Sequence, residues 1–277
     1  MDKQKLIMNL EQTATKVRIE TLRQIYQANS GHPGGALSAA EVLTALYFYE
    51  MNIDPANPAW SDRDRFILSK GHVCPVMYAC LALKGYFDMS VLDTLRKKGS
   101  ILQGHPDMKR GHGIDMSSGS LGQGLSIASG MALAAKRDDK SFRVFAVLGD
   151  GETQEGQVWE ATQAACKYKL DNLVFFVDVN RLQVDGFCDD IMPCGDLEMK
   201  FRAFGCETYH IDGNNMAEVV GVLDVIRPRK NGKPKCIICD TVKGKGVSYM
   251  ENVCEWHGKA PNKDQYVQAI AELEALL

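Results

Sequence analysis

The chain has 277 residues, of which 45% are hydrophobic and 24% charged, with a net charge of −3. That is enough apolar material for a large core of ordinary globular type, and the dispersed lysines and arginines exclude an electrostatic nucleic-acid binder. No apolar run reaches the roughly 20 residues of a membrane span, and the N-terminus lacks a signal-like apolar core, so a cytoplasmic protein is expected.

In chain order, 3–28 reads as a long amphipathic helix stopped by Asn29-Ser30-Gly31. Residues 31–35 (Gly-His-Pro-Gly-Gly) read as a tight loop, with Ser38 capping a helix over 39–50. After the irregular stretch 55–64, Arg65-Phe66-Ile67-Leu68 is a short strand leading to Lys70-Gly71-His72 and an apolar helix, 76–83. Residues 99–124 are glycine-rich and aperiodic, and 125–136 is a helix lined with small residues. The runs 143–148 and 172–177 read as buried parallel strands around a helix over 155–169. A loop (181–193), helix 197–204, strand 207–211, helix 216–225, strand 235–241, a glycine-rich loop to Trp256-His257-Gly258 and helix 263–276 complete the chain. Strands alternate with helices throughout, without repeat or long linker. The expected architecture is one α/β domain over 1–277, a doubly wound, mostly parallel sheet with helices on both faces.

Nine cysteines (Cys74, Cys80, Cys166, Cys188, Cys194, Cys206, Cys236, Cys239 and Cys254) without a secretion signal are expected to be reduced. Cys236-Ile-Ile-Cys239 has redox or zinc spacing, but residues three apart on a strand face opposite ways. A structural role is expected for both.

Gly149-Asp150-Gly151 and Asn180 each end one of the two central apolar runs. A strand-helix-strand unit brings the carboxyl ends of neighbouring parallel strands together. Asp150 and Asn180 would then converge as hard oxygen ligands beside a helix N-terminus, which suits magnesium holding a diphosphate. Gly-Asp-Gly is also an ordinary turn, and the tripeptide alone leaves both readings open. Five of six histidines (His32, His72, His105, His112 and His257) touch a glycine and so lie in loops. Such loops line the ligand crevice of an open α/β sheet, where histidine binds anionic oxygens or moves protons. Each could equally be a merely exposed loop residue. His210, in a strand without glycine, reads as structural.

Taken together, these segments resemble transketolase. The resemblance rests on Asn29-Ser30-Gly31-His32-Pro33-Gly34, Asp64-Arg65-Phe66-Ile67-Leu68-Ser69-Lys70-Gly71-His72, Gly104-His105-Pro106 and Gly119-Ser120-Leu121-Gly122-Gln123-Gly124. The Gly149-Asp150-Gly151 to Asn180 unit and Gln183-Val184-Asp185-Gly186 complete it. The resemblance implies thiamine diphosphate and magnesium (calcium or manganese as substitutes), with Asp150, Asn180 and the main-chain oxygen of Leu182 on the metal. Gly149, Asp150 and Gly151 would hold the diphosphate, Gly151 through its N–H. Gly119, Ser120 and Leu121 would meet the aminopyrimidine. His72 and His257 would lie near diphosphate and substrate, and His32 and His105 would face a ketose's hydroxyls and share its proton transfers. Glu155 resembles a glutamate of the family's subunit interface, or is a first-turn glutamate favoured by the helix dipole.

Ser120 stands where the family often has proline, and His112 has no clear counterpart. Full transketolases continue into a pyrimidine-binding and a C-terminal domain. The glutamate that holds the pyrimidine and the arginines that grip a sugar phosphate are not found in these 277 residues. The expectation is therefore the N-terminal subunit of a split transketolase, forming an α2β2 assembly with a C-terminal transketolase subunit. Its substrates would be small sugar phosphates. Other thiamine enzymes (a deoxyxylulose-phosphate synthase-like protein or a 2-oxoacid decarboxylating subunit) and a non-catalytic thiamine-binding homologue are the alternatives.

Overall fold

The computed structural model describes residues 2–277. Its five strands, β1 (Arg65–Leu68), β2 (Val144–Gly149), β3 (Leu173–Val179), β4 (Glu207–Asp212) and β5 (Lys235–Asp240), form one all-parallel sheet in the order β1-β2-β3-β5-β4. The expected α/β class is what the structure has.

Alternation along the strands divides the core. Phe145, Val147, Val174, Phe176, Ile237 and Cys239 face one layer with α1 (Lys3–Ala28), α3 (Ala40–Ala45), α4 (Cys74–Lys84) and α9 (Met216–Ile226). Val144, Ala146, Leu148, Phe175, Val177, Cys236 and Ile238 face the other, with α5 (Gln123–Arg137), α6 (Gly156–Lys167) and α8 (Leu197–Phe204). Both faces are covered, so the strands are apolar throughout rather than alternating in polarity. Cys236 and Cys239 fall on opposite faces, as the spacing requires. Leu22, Leu37, Val247, Met250, Trp256, Ala269 and Leu273 form a third cluster. It fastens the 243–258 segment and α10 (Lys263–Glu274) to α1, which fixes where His257 sits.

Three local expectations are corrected. The 31–35 stretch is not wholly a loop: Pro33 starts α2 (Pro33–Ser38), its fixed φ suiting a first helical position. Ser38 closes that helix rather than capping the next, and α3 gives way to a π turn at Leu46–Glu50. Gly34 explains the packing, because a Cβ there would lie 2.9 Å from the Trp256 carbonyl oxygen. Secondly, β3 runs on to Val179, past the apolar run, and takes Asp178 into the sheet. Finally, α7 (Cys188–Ile191) interrupts the 181–193 loop, and Glu155 is the N-cap of α6 rather than in its first turn. Asn29 ends α1 as expected, in the left-handed region at φ 46.

Candidate active site

The carboxyl edge of the sheet carries the site. Gly149 pairs with Asp178 across β2 and β3, so the two following loops leave the sheet side by side. Asp150 is buried, with Oδ1 accepting from Gly151 N (2.8 Å) and Oδ2 from Arg181 N (2.6 Å). One carboxylate thus spans both loops. Asn180 Oδ1 accepts from Leu182 N at 3.2 Å, and the Leu182 carbonyl accepts from Lys243 Nζ at 3.0 Å. The Gly151 N–H is donated to Asp150. A one-turn 3₁₀ segment, Gly151–Gln154, stands between Asp150 and α6.

Asp150, Gly149, Gly151, Asn180, Leu182, Leu121, His72 and His257 line one cleft of about 240 Å³, together with Lys70 and Lys243. Gly119 and Ser120 lie outside that lining. The backbone of Gly119 sits against the His105 ring, where a Cβ would come within 2.9 Å of Cδ2 at a φ of +148. Glu155 lines the cleft from α6, and His112 is exposed away from it. A roomier hollow of about 340 Å³ near α1 holds none of these histidines.

Three histidines form a triangle. The His32 ring centroid lies 5.1 Å from that of His72 and 5.5 Å from that of His257, which is 5.4 Å from His72. Burial, reinforced by neighbouring positive charge, favours the neutral ring. His72 is pulled down to about 2 by burial and then by Lys70. His32 falls to about 4 through burial and Arg96, and His257 to about 4 through burial and Lys243. His105 is lowered by burial and Arg96. All four are neutral imidazoles at pH 7, able to accept or donate a proton. His32 Nδ1 is buried without a hydrogen-bond partner.

The depressed histidine pKa values set a sign. Each folded pKa lies below the unfolded 6.5, so the unfolded chain binds more protons as pH falls. The stabilisation is present above pH 6.5 and is lost between there and about 4. Asp150 and Glu152, raised by burial, act in the opposite sense. Denaturation midpoints at pH 7 and pH 5 should therefore drop less in His72→Asn than in the parent. An equal drop in both proteins would contradict a neutral buried His72.

Four charged residues of the site were missed in the sequence. Asp178, 3% exposed, accepts from Ser38 Oγ (2.6 Å), Asn180 Nδ2 (3.1 Å), Thr241 Oγ1 and Lys70 Nζ. Burial alone would raise its pKa, but the Lys70 charge and these donors hold it below the ordinary carboxylate range. By taking the amide Nδ2, Asp178 leaves Asn180 Oδ1 as the atom that faces the cleft. Lys243, buried and lowered to about 8 by desolvation and then by Lys70, also contacts His257 Nδ1 at 3.0 Å. Glu152 accepts from Gly122 N (2.8 Å), Gly149 N (3.1 Å) and Ser69 Oγ, joining three loops. The signal for Asp178 was a carboxylate within an otherwise apolar central strand, since buried charge requires partners. No such pattern marked Lys243.

Two buried ammonium groups, Lys70 and Lys243, beside the buried Asp150 carboxylate and the Asn180 and Leu182 oxygens, each of which already accepts one hydrogen bond but has a second lone pair, form a donor set for an anion bridged to a hard cation. Among the described residues, no three His, Cys, Asp or Glu side chains group as a metal cage. A cation here would depend on the Asp150 carboxylate, the Asn180 and Leu182 oxygens, and oxygens of its anionic ligand. The residues therefore fit a metal–diphosphate.

Comparison with known proteins shows the family. The family described as "Transketolase, thiamine diphosphate binding domain" matches residues 10–273. The chain belongs to this family. It is 47% identical over 267 residues to the 6-deoxy-6-sulfo-D-fructose transketolase subunit SqwG of Clostridium sp. (strain MSTE9), covering 96% of this chain and 97% of that protein. It is 41% identical to an apulose-4-phosphate transketolase subunit of Phocaeicola vulgatus, covering 96% and 94%. Human transketolase is 40% identical over 98% of this chain, which spans only 43% of the human protein. The crystal structure of Campylobacter jejuni transketolase superposes with a TM-score of 0.90 at 30% identity, covering 99% of this chain and 43% of that one. Among the described residues, no helix is long and apolar enough to cross a membrane.

Proposed function

We propose that the chain, as one domain over 1–277, is the N-terminal subunit of a split transketolase. It would transfer a two-carbon glycolaldehyde unit from a ketose phosphate to an aldose phosphate, with thiamine diphosphate and magnesium. A second polypeptide would bring the pyrimidine-binding and C-terminal domains, in an α2β2 assembly in the cytoplasm. The observation that carries this reading is the joint presence of Asp150, Asn180, Lys70, Lys243, His72 and His257 around one cleft, with the His32 ring against both of those histidines just outside its lining. The near end-to-end match with relatives named as subunits supports the need for a partner.

In this reading Asp150, Asn180 Oδ1 and the Leu182 oxygen hold the metal, and Lys70 and Lys243 offset the diphosphate's charge. Bound thiamine diphosphate supplies carbanion stabilisation. Gly149 and Gly151 leave room for the diphosphate, and Gly119, Ser120 and Leu121 form the wall toward the aminopyrimidine. His72 and His257, which line the same cleft, would stand near that anion and the substrate. His32 and His105 would face the substrate's hydroxyls and hold and move protons there, which burial equips them to do in neutral form.

The test is to purify the chain with its partner and to assay ketose-to-aldose transfer with both cofactors. The panel should include sulfonated and branched sugars, since two relatives are named for such substrates. Transfer dependent on both polypeptides is the expected result. Inactivity of every assembled pair, or carbon dioxide release from pyruvate instead, would overturn it. His105→Ala should lower kcat about 10²-fold or more with magnesium affinity unchanged. A loss of metal binding in that variant would place His105 in the wrong role.

A further inference from the structure

Cys166 lies at the C-terminal end of α6, half-buried, and Cys206 is the buried residue immediately after the α8 stop. Their sulfurs are 3.8 Å apart. The two helices are held side by side by Trp159, whose ring stacks on Phe201 (centroids 4.8 Å) and tilts against Phe204 (5.4 Å). Gly205 makes the close approach. Its φ of +106 lets its N–H reach the Arg202 and Phe201 carbonyls and turns the chain, so that a Cβ at Gly205 would sit 3.5 Å from Cys166 Sγ. A thiol reachable from solvent thus faces a thiol that solvent does not reach. Cys74, Cys80, Cys236 and Cys239 are buried, and Cys254 is half-buried. Cys188 and Cys194 also pair with each other, a buried thiol against a half-buried one, but both are engaged with Asp150, at Oδ2 (3.6 Å) and at the main-chain oxygen (3.4 Å).

We propose that Cys166 and Cys206 are an oxidative modification site, with Cys166 attacked by a small hydroperoxide and Cys206 acting as the resolving thiol. The Cys166 thiolate attacks the distal peroxide oxygen, and the O–O bond breaks to leave a sulfenic acid and an alkoxide, which takes a proton. Cys206 sulfur then attacks the Cys166 sulfur. The S–O bond breaks, and the departing hydroxide leaves as water with the proton from Cys206. In sum, two thiols and one hydroperoxide give a disulfide, an alcohol (water from hydrogen peroxide) and water, and an external dithiol reverses it. The hydrogen bond from Cys206 lowers the Cys166 thiol below the ordinary range against the effect of burial, with Lys233 assisting. This is the polarity an attacking thiol beside a resolving one needs.

The site has a consequence for the cleft. The segment between the two cysteines contains β3, Asn180, Leu182, α7 and α8. A bond there closes a loop that holds two of the three candidate metal ligands, Asn180 and Leu182, and restricts the unfolded chain, without touching the ligands themselves.

The proposal stands apart from the functional reading and is tested on the full chain without cofactors. Hydrogen peroxide is added stoichiometrically, free thiols are counted, and alkylated peptides are mapped. The expected result is a Cys166–Cys206 link, a fall from nine reactive thiols to seven under denaturing conditions, and a melting temperature higher by on the order of 5 °C. Cys166→Ser should abolish the link, and Cys206→Ser should accumulate a Cys166 sulfenic acid trapped by dimedone. Absence of the link with Cys166 unmodified would overturn the proposal, as would a Cys188–Cys194 bond forming first. The dimedone adduct keeps the assignment testable even if the serine variants lower the yield.

Discussion

Asp150→Ala should remove cofactor-dependent activity while the protein stays folded. The carboxylate is the one charged oxygen donor among the three candidate ligands, and its Oδ2 also receives Arg181 N at 2.6 Å, joining the two loops. Loss of residues that merely orient a metal ligand costs about 10–100-fold in affinity, so loss of the charged ligand should exceed that. The fold should persist because the side chain caps two backbone N–H groups and packs no apolar surface, a defect of about 1–3 kcal/mol in a fully layered domain. Circular dichroism, together with magnesium titration of the assembled enzyme, checks both halves. Normal turnover at limiting magnesium would be incompatible with the assigned site.

Asp178→Ala should be the more damaging change, and in two separable ways. It leaves the Lys70 ammonium, 2% exposed, without its buried counter-ion, and breaking such a pair costs about 3–5 kcal/mol. It also frees the Asn180 amide, whose Nδ2 is anchored to Asp178 at 3.1 Å. The amide can then turn its nitrogen toward the cation, lowering magnesium affinity by about 10–100-fold. A double variant, Lys70→Met with Asp178→Leu, removes both charges and should recover much of the thermal stability. Lys70→Met alone removes the diphosphate-side charge and leaves Asp178 without its counter-ion, but keeps the Asp178 oxygen on Asn180 Nδ2. Adding Asp178→Leu to it should therefore cost further magnesium affinity, measured at saturating thiamine diphosphate. If it costs none, Asp178 is a packing residue and not a positioning one.

The sequence carried the fold class because each central strand is a short, doubly apolar run with a helix of recognisable period between. Covering both sheet faces leaves no other pattern. It carried the meeting of the Asp150 and Asn180 loops at neighbouring strand ends, because adjacent parallel strands put their carboxyl ends side by side. It misplaced Ser38, whose hydroxyl serves Asp178 across 140 residues rather than the next helix. A local cap rule has no access to so distant a competitor.

By itself, then, the sequence determined the alternation of strands and helices, the opposite facing of Cys236 and Cys239, and the oxygen-rich strand tips, all of which follow from short-range periodicity and strand-end chemistry. Only the tertiary structure decided that Lys70 and Lys243 turn inward, that His32, His72 and His257 meet within 5.1–5.5 Å, and that Asp178 orients Asn180. Those outcomes depend on burial and on charges far apart in the chain. Desolvation makes an isolated buried charge costly enough that its partners are chosen by the packed whole.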